Sequence, residues 1–562
     1  MRVADYVADF INKKGIKDIF MLSGGGSIFL DDGVACNKNI REICVCNEAA
    51  APMMAESYAR LSGVPGVVYV TSGPGGTNAV SGLAEAWVDS APVIVISGQV
   101  AMRHSSFYSE VKGIRSLGMQ ELNIIDVVKS LTKYAVFVDD PKKIRFHLEK
   151  AFHLALSERP GPVWIDIPLD VQSAEIDPEN LEGFTPDDKK NPIDQNTIDR
   201  VIEMLIKSER PLIIGGQGIR ISGALKEFKE LVEKLDIPVV FSRLGQDILP
   251  FSHKNNLGHG GLKGLSCSAQ VMKESDLIIS IGSRLSIPFV GLELDAFSPG
   301  AKVIAVDIDS PELEKPGVKI DLKVKGDAKE FINAVLTRVQ GLKNPEWKRW
   351  MEKASKMKED DKLIYESMKK NPIDLYYFFN RLDATSEKGD IFISDAGSSY
   401  YVAGQALRFE KGQREITSGA FAAMGLSIPL AIGAAVKDKD SLILAVTGDG
   451  SLELNIQELK TMSVYGLNIK LFVINNGGYV SIRNTQDKLF DGRYICSDQK
   501  GSDMMLDFSK IAQAFCLPYY LINDYKDIDK KINEIKSSKG PAFVEVVCDS
   551  NQKIYDPGKG MK

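Results

Sequence analysis

Short apolar runs rich in valine and isoleucine recur along the chain, each parted from the next by a stretch whose apolar residues fall at helical spacing. Strands that are apolar at nearly every position are buried on both faces. Joining such strands in parallel requires a crossover segment, so the rhythm predicts parallel sheets covered by helices. Three series are visible. Val67 to Val70, Val93 to Ser97 and Val163 to Ile167 form the first, and Pro211 to Ile214, Ile237 to Phe241, Leu277 to Ile281 and Val303 to Val306 form the second. The third comprises Ile391 to Ser394, Leu442 to Val446, Ile469 to Ile474 and Ala542 to Val547. Between the first two the chain turns polar and proline-punctuated, from Asp177-Pro178 through Thr185-Pro186-Asp187-Asp188-Lys189-Lys190 to Pro192. Between the second and third, from about Gly341 to Ile373, Lys, Glu and Met stand at helical spacing. The expected fold is α/β, with three consecutive domains, each a parallel doubly wound sheet flanked by helices. The boundaries are 1–172, a linker 173–195, a central domain 196–340, a helical linker 341–372 and a last domain 373–562.

Composition excludes several classes of function. The 69 basic and 75 acidic side chains leave a net charge of −6, far from the balance of a nucleic-acid binder. Seven cysteines, an odd number without metal-ligand spacing, point to a reducing compartment. Cys44 and Cys46 alternate on one apparent strand and read as core thiols. Acidic residues interrupt the N-terminal Met1 to Phe10, where a signal peptide needs an apolar stretch, so a cytoplasmic location is expected. Gly419 to Val436 is apolar but carries Pro429 and three glycines, and reads as a buried helix in a tight site, with no role for a membrane.

Two loops carry chemistry. Gly448-Asp449-Gly450-Ser451 follows the Leu442 to Val446 strand, and Asn475-Asn476-Gly477-Gly478 follows the Ile469 to Ile474 strand. Ligands of open α/β sheets bind at such strand ends. A hard divalent cation takes oxygen ligands, so Asp449, Asn476 and the carbonyl of Gly478 are the candidate metal ligands. Gly448 and Gly450 allow close approach of a phosphate, and Ser451 opens a following helix whose N–H groups face the same way.

In this order and placement the chain resembles the thiamine-diphosphate enzymes of the acetolactate synthase type, almost end to end. Four further stretches carry the likeness: Asn47-Glu48-Ala49-Ala50-Ala51, Thr71 to Asn78, Asp89-Ser90-Ala91-Pro92 with Ile96 to Gln99, and Gly419 to Gly425. The resemblance implies a thiamine-diphosphate-binding fold in the first and third domains and a Rossmann-like middle domain. It implies thiamine diphosphate held through Mg2+, with Glu48 as the catalytic carboxyl at the pyrimidine nitrogen, Met424 wedged beneath the bent cofactor, and the Ala422 carbonyl accepting from its amino group. Pro74, Asn78, Gln99, Gly397, Ser398, Ser399 and Tyr479 would line the cofactor, with Ser394 to Ser399 over the diphosphate. Gly25, in the Gly24-Gly25-Gly26 turn, and Gln120 would face the reacting carbon and the substrate, while Glu121 reads equally as a surface charge. Self-association follows, with active sites between subunits, because the family pairs the first domain of one copy with the third of another.

The middle domain keeps Gly215-Gly216-Gln217-Gly218, Gly258-His259-Gly260, Gly282-Ser283-Arg284 and Asp307-Ile308-Asp309 at strand ends, as an adenine dinucleotide such as FAD requires. Yet Leu285-Ser286-Ile287-Pro288 replaces a Phe-Asp pair of flavin-binding members, so FAD is left open. Ser105 to Leu117 looks lengthened, and Met119 stands where a phenylalanine precedes the Gln-Glu pair. Tyr479 to Gln486, the expected acceptor wall, lacks the tryptophan that selects 2-ketobutyrate. In these respects the chain resembles acetolactate-synthase-like proteins associated with surface-polysaccharide biosynthesis. The expected reaction is decarboxylation of a small 2-oxo acid such as pyruvate, with ligation of the two-carbon unit to a second carbonyl, including a keto sugar. A simple decarboxylase or a dione hydrolase on the same cofactor stays open, as does a non-catalytic, cofactor-binding regulatory subunit, although intact Glu48, Asp449 and Asn476 weigh against the last. No middle strand opens a full Gly-x-Gly-x-x-Gly turn, which disfavours a nicotinamide dehydrogenase.

Overall fold

A computed structural model describes residues 1–187, 192–340, 342, 345–497 and 506–557. The first sheet contains β1 (Asp18–Met21), β2 (Arg41–Cys44), β3 (Gly66–Val70), β4 (Val93–Gln99), β5 (Tyr134–Phe137) and β6 (Val163–Pro168). The second contains β7 (Pro211–Gly215), β8 (Val239–Phe241), β9 (Asn256–His259), β10 (Leu277–Ile281), β11 (Lys302–Asp307) and β12 (Leu322–Lys325). The third contains β13 (Ile391–Ser394), β14 (Arg414–Ile416), β15 (Ile443–Gly448), β16 (Ile469–Asn475), β17 (Tyr519–Ile522) and β18 (Ala542–Val547).

All pairings within these sheets are parallel. The first sheet runs β2-β1-β3-β4-β6-β5 and the third β14-β13-β15-β16-β18-β17, which is one and the same connectivity. The second runs β12-β11-β10-β7-β8-β9, the dinucleotide-binding order, with its reversal between β7 and β10. The three expected domains are present.

Five helices flank the candidate site, α1 (Ala50–Ser62), α2 (Pro74–Val88), α4 (Gly397–Ala406), α5 (Ser427–Lys437) and α6 (Val480–Phe490), while α3 (Pro345–Asp360) packs on the central domain. The first and third domains share one apolar core, to which α1 contributes Met54 and Ala55 and α5 contributes Leu430 and Ala431. The helices approach so closely at Gly433 that a Cβ there would lie 2.0 Å from the Met54 carbonyl oxygen and 2.3 Å from Ser57 Oγ. Arg159, from the first domain, donates to Asp309 Oδ2 and Glu312 Oε1 of the central one at 2.8 Å each.

Three expectations are corrected. Cys44 is exposed on the edge strand β2 and Cys46 is half-buried beyond it, so neither is a core thiol. Gly419 to Val436 is not helical throughout: α5 begins at Ser427, and the preceding residues form a loop with Ala422 at φ +52° and Gly425 at φ +78°. The stretch expected as a helical linker packs on both neighbours: its helix α3 lies on the central domain, and Leu363 and Met368 join the core of the third. Helix α3 buries Trp347 and Trp350 against the central sheet, where their indole nitrogens donate to the carbonyls of Ser208 (2.9 Å) and Pro211 (3.0 Å). Residues 188–191 of the first linker and 558–560 of the tail lie outside the described residues. No helix among the described residues is long and apolar enough to cross a membrane.

Because the Met54 backbone cannot yield at the α1–α5 crossing, Gly433→Val should destabilise the protein by about 1–3 kcal/mol or more. Thermal denaturation against wild type measures this.

Candidate active site

In the third sheet, β15 and β16 lie side by side in parallel register, with Gly448 opposite Ile474, so the loops that follow them emerge together. Asp449 is buried there. Its Oδ1 accepts from the Gly450 N–H at 2.8 Å and its Oδ2 from the N–H groups of Asn476 and Gly478 at 3.0 Å each. Burial raises its pKa, and the same amides act in the opposite direction by stabilising the carboxylate. A Cβ at Gly450 would lie 2.5 Å from the Tyr479 ring, so glycine is required for the two loops to close on each other.

The neighbouring tip, after β13, is knotted to the same place. Asp395 is fully buried and its Oδ2 accepts from Thr447 Oγ1 at 2.7 Å and Ser451 Oγ at 2.6 Å. Beyond it Gly397, at φ +62°, opens α4. Ser398 Oγ is buried and has no hydrogen-bond partner among the described residues, and Ser399 Oγ donates to the Ala396 carbonyl. In the loop before α5, the Ala422 N–H donates to Ser418 Oγ at 2.7 Å and the Gly425 N–H to Ser451 Oγ at 2.8 Å. The left-handed φ of Ala422 costs about 1–2 kcal/mol, which these bonds offset. Met424 is 39% exposed, and Phe421 in the same loop is half exposed.

The first domain supplies a second half. Glu48 precedes α1, is 7% exposed, and accepts from Asn78 Nδ2 at 3.0 Å. The chain just before it is anchored to the third domain, because the Cys46 and Asn47 N–H groups both donate to Glu458 Oε1 at 3.0 Å. Asn78 lies on α2, whose first residue is Pro74, and the Oε1 of Glu48 would stand 3.5 Å from a Cβ at Gly75. The Gly24 to Gly26 turn packs on Thr71 and Ser72, with the Gly26 N–H donating to Thr71 Oγ1 at 2.9 Å. Gly73, at φ +57°, meets the Gln120 carbonyl so closely that a Cβ would lie 2.3 Å from it. Gly25, Glu48, Pro74, Asn78 and Gln120 are thus linked through one set of adjoining loops. Gln99 is fully buried, and its Nε2 donates to the Leu122 carbonyl and to Asp166 Oδ2.

Glu121 is not a surface charge. Its carboxylate is buried and accepts from Ser105 Oγ, Ser106 Oγ and N–H, and the Leu117 and Gly118 N–H groups, which hold its pKa below the usual glutamate value despite burial. It closes the 105–118 loop on itself. Within the expected acceptor wall, Arg483 and Gln486 point inward. Arg483 donates to the carbonyls of Gly477 (2.7 Å), Ser497 (2.8 Å), Asn476 (3.2 Å) and Ser550 (3.1 Å), and so braces the Asn476 to Gly478 loop from behind. Gln486 Nε2 donates to the Ile495 carbonyl, which leaves Ile482, half exposed, as an outward apolar residue of that segment.

Family models match all three domains. The thiamine pyrophosphate enzyme N-terminal TPP binding domain covers residues 1–126, the central domain 198–335 and the C-terminal TPP binding domain 395–546. The acetolactate synthase isozyme 1 large subunit of Escherichia coli strain K12 is 30% identical over 555 residues, spanning 98% of this chain and 95% of that protein. A probable acetolactate synthase large subunit of Methanocaldococcus jannaschii is 30% identical over 574 residues, spanning 99% and 93%. The chloroplastic acetolactate synthase 1 of Nicotiana tabacum is 29% identical over 563 residues, spanning 98% and 82%. The chain belongs to the acetolactate synthase family of thiamine-diphosphate enzymes.

For an acetolactate synthase-like enzyme the donor set at Asp449 has a clear sense. Among the described residues no three His, Cys, Asp or Glu side chains gather to hold a metal. One carboxylate, one side-chain amide and one main-chain carbonyl suit Mg2+ only if phosphate oxygens complete its shell, which is how that ion is commonly held. The orphaned Ser398 Oγ fits a diphosphate oxygen.

The central domain of this acetolactate synthase relative holds a cavity of about 350 Å³ where its strand order reverses, lined by Gln217 and Gly218 after β7 and by Ser283 and Arg284 after β10. Gly216 and Gly282 are in contact, since a Cβ at Gly216 would lie 2.1 Å from the Gly282 carbonyl oxygen. His259 Nδ1 and Arg243 Nε are buried without partners among the described residues, and burial lowers His259 to about 3, leaving it neutral. These groups fit a dinucleotide. Replacing Arg483 by Met would remove four carbonyl ties at once. We expect a markedly higher thiamine diphosphate concentration for half-saturation, with secondary structure retained by circular dichroism.

Proposed function

We propose that the protein decarboxylates a 2-oxo acid, with pyruvate as the first candidate, and transfers the two-carbon unit to a second carbonyl compound. Bound thiamine diphosphate supplies the electron sink for this chemistry. Around it the chain's own residues have separate tasks. Glu48, nearly enclosed at the head of α1, holds a proton at the pyrimidine nitrogen, and Asn78 orients its carboxyl group. The Ala422 carbonyl would accept from the cofactor's amino group, and Met424 would support the cofactor from below. Asp449, Asn476 and the Gly478 carbonyl hold Mg2+, which anchors the diphosphate beside Gly397, Ser398 and Ser399. The single observation that carries this reading is the Asp449 knot between two parallel strand tips.

Active sites lie between two copies of the chain. In support, apolar residues flanking the two halves stand exposed, including Phe421, Met424, Leu454 and Met119. The acceptor is larger than pyruvate, a keto sugar on a nucleotide being the candidate. The 105–118 loop, knotted by Glu121, carries exposed Lys112 and Arg115, which suit a diphosphate. The central cavity takes an adenine dinucleotide, FAD being the candidate, and the protein works in the cytoplasm.

Glu48→Gln should retain thiamine diphosphate affinity and lose at least about 100-fold in turnover, the scale of general acid–base contributions. Turnover within a few-fold of wild type would overturn the assignment. Analysis of products from pyruvate, alone and with a keto-sugar nucleotide, separates ligation from simple release of aldehyde.

A further inference from the structure

A cluster of four charged side chains, three acids and one arginine, is buried between the first and third domains and is not used by the chemistry above. Glu56 and Arg60 lie on α1, Glu85 on α2 and Asp89 just beyond it. Glu56 and Glu85 are fully buried, Asp89 is 2% exposed, and the Arg60 side chain is 4% exposed. Three of the four reach the loop that precedes α5. Arg60 Nη1 donates to the Thr417 carbonyl at 2.8 Å and to Glu56 Oε1 at 3.0 Å. The Gly419 N–H donates to Asp89 Oδ2 at 2.6 Å, and the Ala423 N–H to Glu85 Oε2 at 3.4 Å. Residues 417–425 are therefore held at three points by the first domain, and Ala422, between two of them, keeps its left-handed backbone.

The charge of the cluster does not balance. Three carboxyl groups surround one guanidinium, and Glu56 Oε2, Glu85 Oε1, Asp89 Oδ1, Arg60 Nε and Arg60 Nη2 have no hydrogen-bond partner among the described residues. An unpaired ionised carboxyl in such a place is costly, and it takes a proton instead.

We propose that Glu56, Arg60, Glu85 and Asp89 are positioning residues that seat the Thr417 to Gly425 loop, and that a proton shared among their three carboxyl groups keeps it seated. The inference rests on the assignment of this loop to thiamine diphosphate. Burial pushes Glu85 up to about 7 and raises Glu56 and Asp89 as well, with each acid reinforced by a neighbouring one or opposed by Arg60. The other charged or titratable groups facing the cluster are Arg284 and Arg159 from the central and first domains, which favour ionised Asp89, Tyr400 from α4, and Arg414 beside Arg60. The seated loop keeps its proton up to about pH 7. A displaced loop opens Glu85 to water, where it ionises near the ordinary glutamate value of 4.5. Seating therefore takes up a proton between those limits, weakens as the pH rises through them, and levels off above.

The test is thiamine diphosphate affinity of the whole protein with Mg2+, followed by calorimetry between about pH 5.5 and about pH 8. As the pH rises from about 5.5, wild-type affinity should fall by up to about tenfold per pH unit and flatten above about pH 7, as linkage to one proton requires. Glu85→Gln, neutral at every pH yet still able to accept from Ala423, should abolish most of that slope. Asp89→Asn should do so too, while Asp89→Ala, which loses the bond to Gly419, should weaken binding at every pH. Equal slopes in wild type, E85Q and D89N overturn the inference, and a flat wild-type profile overturns it without any variant. Wild type that binds no thiamine diphosphate at any pH takes the functional reading down with it. Tight binding with unchanged slopes removes this inference alone.

Discussion

The close crossing of α1 and α5 at Gly433 sets how the first and third domains of one chain sit against each other. Glu48 lies just before the first of these helices, and the Thr417 to Gly425 loop lies just before the second. Fixing where the helices touch therefore fixes where the Glu48 carboxyl and the Thr417 to Gly425 loop of one chain stand relative to the shared core. A missing side chain permits the contact, since backbone oxygen occupies the space a Cβ would need. Apolar burial on both sides, from Met54 and Ala55 to Leu430 and Ala431, then stabilises it without any directional bond.

The interior strands of each sheet were largely legible because both faces are covered. Apart from β1, which is absent from the expected series, they read as unbroken apolar runs, and the structure returns them within a residue or two. The edge strands were not. In β2 and β12 the buried and exposed positions alternate, and β5 is only half-buried throughout, so their sequences are hard to tell from loops. The central domain's extension through α3 was missed for a different reason. Lysines and glutamates dominate the exposed face of that helix, and the buried face, Trp347, Trp350, Met351, Ala354 and Met357, is narrow beside it.

Residues close together in sequence account for the legible part of the site. Asp449 with its glycines and the double asparagine form local patterns at strand ends, whereas the Glu48 segment ahead of a helix stands out only through the family resemblance. Glu121, Arg483 and Glu458 could not be recognised this way. Arg483 acts on carbonyls from Asn476 to Ser550, and Glu458 accepts from the backbone of residues more than four hundred positions earlier. Before folding, a charged side chain gives no sign that it will be enclosed: Glu121 reads equally as a surface charge, and Arg483 stands only as one residue of the expected acceptor wall.

The two tryptophans on α3 also decide where the central unit can be cut from its neighbours. A fragment ending near residue 340 would leave Ser208 and Pro211 without their indole donors and expose the apolar flank those rings cover, inviting aggregation. One carried on through Asp360 keeps that flank dry. The natural seam for dissecting the molecule thus falls after the helix, some twenty residues beyond the point that the change in composition marks.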